Sequence, residues 1–279
     1  MGARLCVGNN HETAEKEEHL RHLLAANWPR SVQMNARRCP LNGEKVKLKK
    51  GEKILYFVRH GQGFHNKAAA ESKFKCDCGS ENTGNCPYLD EKLVDPHLTE
   101  VGKMQMEPLS KITEKLHSQP EIVFVSPLAR AIQTALFGFS SLVEDDGQTK
   151  IPFIADRNAR ETAGLHMCDK RRSLKDIKAE FPFVDFSNIQ DEQDKLWTPE
   201  REAPKSLILR AYLFMLGIRQ RKEDIIGVVS HSGWLLTLFN CVMSTKDPSL
   251  KEWFQTAELR AVIVSWDAKN ERQIEKKDD

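Results

Sequence analysis

Short apolar runs alternate along this chain with segments that carry the residue spacing of amphipathic helices. The runs cover residues 54–58, 122–125, 151–155, 225–229 and 261–266, and helices are predicted near residues 99–117, 128–142, 173–181, 204–221 and 232–243. Continuous apolar runs of this length are typical of strands that are covered on both faces, as in parallel sheets. Because strand and helix alternate, we predict an α/β fold with a mostly parallel central sheet.

One large domain is predicted over residues 53–267 of the 279-residue chain, because single α/β domains often exceed 200 residues. Residues 1–52 are interpreted as a short helix over residues 13–27 followed by a basic, irregular connector over residues 30–52, and residues 268–279 as a charged tail. Residues 71–97 contain three cysteines and are interpreted as an insertion that leaves the main layers.

The composition and charge pattern argue against a nucleic-acid partner, a membrane span and a secreted protein. With 42 Lys+Arg against 40 Asp+Glu, the net charge of +2 gives no global argument for a nucleic-acid partner. The uncharged stretch 225–245 contains Ser230 and His231, which would lack partners in lipid, so we interpret it as a buried strand and helix rather than a membrane span. The first residues lack an apolar signal-peptide core, and Cys6 stands where an acylation signal has Ser or Thr. We expect a soluble, cytoplasmic protein of undetermined oligomeric state.

Polar and cationic side chains follow the predicted strands. Arg59 and His60 come directly after residues 54–58, Arg130 lies shortly after residues 122–125, and His231 follows residues 225–229. The run that ends at residue 155 leads to Glu161. Because ligands of open α/β sheets gather beyond the carboxyl ends of the strands, we expect these side chains to share one edge of the sheet.

Two guanidinium and two imidazole groups in one pocket suit a phosphoryl group. Each arginine can bind phosphate oxygens in a fork, and a neutral histidine is a competent nucleophile toward phosphorus. A protonated second histidine and the arginines would stabilise the charge that grows on the oxygens, while a carboxylic acid could protonate the leaving group. No metal is required, because fixed cations already provide the positive field.

Three segments in this order resemble the histidine phosphatase superfamily, branch 1, over roughly residues 53–267. They are Arg59-His60-Gly61, the Ser-Pro-Leu-x-Arg-x-x-Gln-Thr stretch at 126–134, and Ser-His-Ser-Gly at 230–233. Residues 160–173 and 181–186, with Leu196-Trp197, are similar to the plant and fungal phosphoglycerate mutase-like subgroup. The resemblance implies a three-layer α/β/α sandwich and an enzyme that acts on phosphomonoesters without a cofactor.

The resemblance also implies roles for particular residues. His60 corresponds to the phosphorylated nucleophile, Arg59 and Arg130 to phosphate-binding groups, His231 to a member of the phosphate pocket, and Glu161 to the proton donor. Gly61 and Asn66 fall at positions of substrate contact, although Asn66 could instead support the turn after the strand. Lys170, Arg171 and Arg172 are either a solvated face or a site for a second acidic group of the substrate. Gly63 departs from the family, in which mutases and many phosphatases have Ser or Thr.

Other patterns are weighed against this interpretation. Residues 61–66 imitate a Gly-x-Gly-x-x-Gly dinucleotide fingerprint, but the third glycine is missing. Cys76, Cys78, Cys86 and His97 are four possible zinc ligands, although Cys-x-Cys is not a common zinc spacing and a loop with free thiols is favoured. His65 and His97 are interpreted as loop or surface histidines.

The sequence therefore predicts a metal-independent phosphoric monoester hydrolase that acts on a small phosphorylated metabolite through a phosphohistidine. A phosphoglycerate-type mutase is the alternative within the enzymes. The alternative of another class is a non-catalytic protein that holds phosphorylated ligands.

Overall fold

A computed structural model describes residues 34–41, 46–74, 76 and 86–267. A seven-stranded sheet with the order β4-β3-β5-β2-β7-β1-β6 runs through them. The strands are β1 (Met34–Arg38), β2 (Lys53–Arg59), β3 (Ile122–Val125), β4 (Phe153–Ala155), β5 (Ile225–Ser230), β6 (Met243–Ser244) and β7 (Leu259–Trp266). Strand β7 is antiparallel to β1 and β2, and the other pairs are parallel.

Helices cover both faces of this sheet. They are α1 (Phe64–Glu71), α2 (Glu100–Met104), α3 (Met106–Glu114), α4 (Ala129–Gly138), α5 (Leu174–Glu180), α6 (Pro204–Arg219) and α7 (Ser232–Thr237), the last continuing as a π-helical turn over Leu238–Val242. Alternate side chains of β2 enter two separate apolar clusters: Leu55 and Phe57 pack with α6 and α7, and Tyr56 and Val58 pack with α3 and α4. The mostly parallel, three-layer architecture is therefore confirmed.

Two expectations about the elements are wrong. Residues 30–52 are expected to be irregular, but Met34–Arg38 forms β1, which pairs with β7 inside the sheet. The helix expected over 99–117 is divided at Gln105 into α2 and α3. Pro108 explains the break, because it has no N–H to donate to the carbonyl of Met104 and its ring clashes with that carbonyl.

Some sequence-based expectations fall on residues outside the described ranges. They are the helix near residues 13–27, the comparison of Cys6 with an acylation signal, Cys78 as a possible zinc ligand, and the charged tail at 268–279. Among the residues that the structure does describe, no helix is long and apolar enough to cross a bilayer.

The sheet order brings the predicted site segments together. Strands β4, β3, β5 and β2 are neighbours and parallel, so their carboxyl ends lie on one edge. Arg59 at the end of β2 is level with Ser230 at the end of β5, and Val125 at the end of β3 is level with Val229. The loops that follow these strands consequently converge on one place.

Candidate active site

His60 is held in the orientation that a nucleophile needs. Its side chain is only 2% exposed, and its Nδ1 lies 2.6 Å from the carbonyl oxygen of Gly61. This contact places the ring hydrogen on Nδ1 and leaves the Nε2 lone pair facing Arg130, whose Nε donates to it at 3.4 Å. Burial, and then the charge of Arg130, lower the pKa of His60 well below its usual range. The imidazole is therefore neutral and nucleophilic.

Gly61 orients this histidine. Its N–H donates to the hydroxyl of Thr134 at 3.0 Å, and its carbonyl faces His60. A side chain at this position would come within 2.9 Å of Met106 Cε and 3.0 Å of the Gly102 carbonyl. Gly61 does not line the cavity beside His60, and a substrate contact at this residue stays a prediction.

Arg59 and Arg130 line the cavity beside His60, and each is held in place by hydrogen bonds to the surrounding protein. Arg59 donates to the carbonyl of Phe254 at 2.7 Å. Arg130 lies in the first turn of α4 and donates to the carbonyl of Cys168 at 2.6 Å and to Asp169 Oδ1 at 3.0 Å. Each guanidinium has five N–H donors in a planar fork, and these contacts fix the orientation of the fork.

Asp169 joins two arginines in the wall of the cavity. Its Oδ1 accepts from Arg130, and its Oδ2 accepts from Arg201 at 2.9 Å. Burial alone would raise its pKa, but the nearby His166 ring and the charges of Arg201 and Arg130 hold it well below its usual range. The side chain is an ionised brace. Sequence reasoning missed Arg201, since no strand end or periodic pattern marks it.

His231 lies against His60 but does not line the cavity. The two ring centroids are 4.9 Å apart, and His231 Nε2 is 2.7 Å from the hydroxyl of Ser126. Burial, and then the charge of Arg130, lower its pKa well below its usual range. In the site without a ligand this low pKa favours the neutral imidazole, and a protonated second histidine during the reaction stays a prediction.

Glu161 reaches the same cavity from the segment after β4. Its Oε1 accepts from the N–H groups of Thr162 at 2.9 Å and Trp234 at 3.0 Å, and its Oε2 accepts from Gly233 at 3.0 Å. Gly233 and Trp234 belong to the first turn of α7, so the carboxyl group is anchored at the beginning of that helix. Its role as proton donor stays a prediction.

His65 is buried in the wall of the cavity instead of lying on the surface, and its position explains why residue 63 is a glycine. It is 6% exposed, not a surface residue, and it lines the cavity with its ring centroid 5.4 Å from that of His60. Within the described part of the chain, its buried Nδ1 makes no hydrogen bond. A Cβ atom at Gly63 would lie 2.7 Å from this Nδ1. The glycine is therefore needed because the His65 ring occupies the space that a Ser or Thr side chain would take.

Asn66 serves the turn and also lines the cavity. Its Oδ1 accepts from the N–H of Gly63 at 3.0 Å, which closes the turn before α1. The same residue belongs to the cavity wall that contains His60. Both interpretations of this residue are therefore compatible with the geometry.

The structure does not bring the basic triplet into this cavity. Lys170 Nζ lies 4.5 Å from the ring centroid of Trp197, and Arg171 donates to the carbonyls of Arg172, Asp191 and Glu192. Arg172 pairs with Asp95 at 3.2 Å and with Glu180 at 2.6 Å. Arg171 is 4% exposed, so a solvated face is wrong for it. Contact of this triplet with substrate stays a prediction.

The metal-ligand candidates also need one correction. His97 Nε2 is 2.6 Å from Glu180 Oε1 and does not belong to any group of possible metal ligands among the described residues. His166 takes that place beside Cys76 and Cys86, and it lines the cavity with Tyr88, Ser232 and Trp253.

Comparison with known proteins gives consistent matches. A family model described as histidine phosphatase superfamily (branch 1) matches residues 81–279. The phosphoglycerate mutase-like protein 1 of Arabidopsis thaliana is 32% identical over 240 residues, which cover 76% of this chain and 81% of the relative. A probable phosphatase of Schizosaccharomyces pombe is 25% identical over 207 residues, covering 70% and 81%. A solved structure, the alpha-ribazole phosphatase of Shigella flexneri, matches with a TM-score of 0.47 and 18% identity, covering 75% and 89%.

Proposed function

Because the chain belongs to branch 1 of the histidine phosphatase superfamily, we propose that it hydrolyses phosphoric monoesters of small metabolites through a phosphohistidine at His60. The observation that carries this proposal is the orientation of one ring. The Gly61 carbonyl holds Nδ1, so Nε2 presents its lone pair beside the guanidinium groups of Arg59 and Arg130. That arrangement combines a neutral nucleophile with fixed cations for the phosphoryl oxygens.

In the first step, His60 Nε2 forms a bond to phosphorus as the bond from phosphorus to the ester oxygen breaks. The electron pair stays on the leaving oxygen, which takes a proton from the carboxyl group of Glu161. In the second step a water oxygen attacks phosphorus and gives its proton back to Glu161. The bond from phosphorus to Nε2 breaks as the new bond to oxygen forms, and its electron pair returns to the imidazole, so His60 is neutral again. The phosphate leaves with its three non-bridging oxygens and the oxygen from water.

Arg59 and Arg130 act in both steps by the same electrostatic effect. Negative charge spreads over the three non-bridging oxygens of the phosphoryl group in each transition state. Two guanidinium groups that are already desolvated and braced need little reorganisation to stabilise it. The catalysis therefore needs no metal at the phosphoryl group.

A mutase is the second candidate, because relatives of this chain carry the name phosphoglycerate mutase-like. The experiment that separates the candidates is incubation with a panel of phosphorylated metabolites that includes 3-phosphoglycerate. Release of inorganic phosphate that depends on His60 supports hydrolysis. Movement of the phosphoryl group within phosphoglycerate, without release, supports the mutase. Binding of these compounds with neither reaction would identify a protein that only holds phosphorylated ligands.

A further inference from the structure

Two cysteines and a histidine from distant parts of the chain meet beside the cavity. Cys76, Cys86 and His166 each offer one ligand atom, and these atoms all lie within 4.8 Å of one another. His166 Nε2 is 3.4 Å from Cys76 Sγ and 3.9 Å from Cys86 Sγ. In a tetrahedral zinc site, with Zn–S about 2.3 Å and Zn–N about 2.0 Å, a sulfur and a nitrogen are separated by about 3.5 Å. The observed distances lie on either side of that value.

The histidine is oriented as metal-bound histidines usually are. Its Nδ1 faces Asp169 Oδ2 at 3.7 Å, while its Nε2 faces the two sulfur atoms. A carboxylate behind the ring favours the tautomer that carries its hydrogen on Nδ1, and this leaves the Nε2 lone pair for a metal ion. Asp169 is itself fixed by Arg130 and Arg201, so this carboxylate cannot turn toward the sulfurs.

The donor set selects the metal. Two thiolates and an imidazole suit Zn²⁺, whereas Mg²⁺ and Ca²⁺ prefer oxygen ligands. A second group, which combines His166 with Cys168 and Asp169, is less suitable because both oxygens of Asp169 already accept from arginines. We propose that Cys76, Cys86 and His166 bind a zinc ion that fixes the segment around Pro87–Leu89 to the wall of the active-site cavity.

The segment that the zinc ion would fix is part of that wall. Cys86 is 6% exposed and begins the 3₁₀ turn Pro87–Leu89, in which Tyr88 lines the cavity. The Tyr88 ring centroid lies 4.9 Å from that of His166 and 6.1 Å from that of His65. A zinc ion bound to His166 would therefore keep Tyr88 and Asp169 in place beside the arginines of the cavity. Its role is structural, and it takes no part in the proposed phosphoryl transfer.

Cys76 is also disulfide-bonded in the structure, so two chemistries compete for its sulfur. A disulfide does not explain why an imidazole nitrogen is separated from the sulfurs of Cys76 and Cys86 as two ligands of one metal ion would be. Nor does it explain why a carboxylate lies behind that imidazole. Zinc binding requires thiolates. The proposal therefore concerns the reduced protein, and its test must count thiols as well as metal.

The experiment measures zinc per chain by plasma mass spectrometry. The full chain is expressed with added zinc, purified in the presence of a thiol reductant and without chelators, and its thiols are counted after denaturation. We expect about one zinc ion per chain in the wild-type protein, and less than a tenth of that in Cys86→Ser and His166→Gln. Cys241→Ser is the matched control, since Cys241 is a buried cysteine of the apolar cluster on α6 and α7, and it should retain the metal.

A spectroscopic arm covers the case in which the variants fail to fold. Wild-type protein exchanged into Co²⁺ should gain a thiolate-to-metal charge-transfer band, which Zn²⁺ then displaces. Reduced wild-type protein that holds no zinc after dialysis against excess metal would overturn the proposal. So would zinc retained equally by all three variants, or a Co²⁺ spectrum without thiolate bands. None of these readouts depends on turnover, so failure here leaves the proposed hydrolysis untouched.

Discussion

Arg130 Nε lies 3.4 Å from His60 Nε2, so the side chain assigned to the phosphate also touches the nitrogen assigned to attack it. The contact explains two properties of the site together. Burial, and then the charge of Arg130, lower the pKa of His60, and the same guanidinium stands where the phosphoryl oxygens must lie when Nε2 approaches phosphorus.

Arg130→Lys tests this double role. Lysine keeps the charge but loses the planar fork, so the bond to Asp169 and the phosphate contacts cannot both be made. We expect kcat/KM to fall by roughly 10- to 100-fold, which corresponds to about 1.5–3 kcal/mol for charge-assisted hydrogen bonds. Arg221→Lys, at a pair with Glu223 outside the cavity, is the control and should change kcat/KM little. Equal effects of both changes would show that the fork at Arg130 has no special role.

Glu161→Gln tests the proton donor. An alkyl phosphate needs a proton on its leaving oxygen, whereas an aryl phosphate leaves as a more stable anion. We therefore expect the variant to slow alkyl phosphates on the order of a hundredfold, with a much smaller effect on aryl phosphates. Steady-state rates with both substrate types measure the difference.

Glu121→Gln is a suitable control for that change. Glu121 Oε2 also accepts backbone N–H groups, those of Asp224 and Ile225, but at the amino end of β5. It should leave both rates unchanged. If Glu161→Gln slows the two substrate types by the same factor, Glu161 only anchors α7 and the proton comes from another group.

Gly63 and His65 are predicted to be energetically coupled. A side chain at Gly63 would press on the buried His65 ring, so Gly63→Ser should lower the free energy of unfolding by about 1–3 kcal/mol. His65→Ala removes the obstacle, and the double variant should lose less than the sum of the single losses. Urea denaturation of the four proteins measures the coupling. Gly217→Ser, where a new Cβ meets nothing within 4 Å, is the control; strictly additive effects would contradict the close contact.

Stability should fall as the pH drops below about 6.5. His60, His65 and His231 have pKa values well below their usual range, so the unfolded chain takes up protons that the folded chain does not. Each such histidine lowers the free energy of unfolding by about 1.4 kcal/mol per pH unit below the unfolded pKa. Three give roughly 4 kcal/mol per unit, until the folded pKa values are reached.

Urea denaturation between pH 7.5 and 5.5 measures this slope. His231→Gln should reduce it by about 1.4 kcal/mol per pH unit, since one buried histidine is removed. His117→Gln, at an exposed position, should leave it unchanged. A stability that is the same at both ends of this pH range would contradict the neutral, buried state of the three rings.

The strand ends and the convergence of their loops could be predicted from the sequence, because continuous apolar runs mark three strands. Arg59 lies at the end of the first, and Arg130 and His231 follow the other two. Strand β1 could not, since only Met34 and Ala36 of its five residues are buried and basic residues surround them. Its place in the sheet depends on pairing with β7, far along the chain.

The residues that form the inner wall of the cavity could not be predicted from the sequence for a similar reason. His65 turns inward, and Gly63 leaves room for it, only because of how α1 packs on the cavity. Arg201 and Asp169 meet across a loop of irregular backbone, without a periodic signal. The order of residues along the chain cannot reveal such contacts, because tertiary packing creates them.

The most direct test of the central claim is to trap the phosphoryl group on His60. Rapid quenching of the reaction with labelled aryl phosphate should yield an acid-labile phosphohistidine, and peptide mapping should place the label at His60. His60→Ala should lose both the label and turnover, and a folded His60→Ala protein that hydrolyses substrate at the wild-type rate would contradict the account.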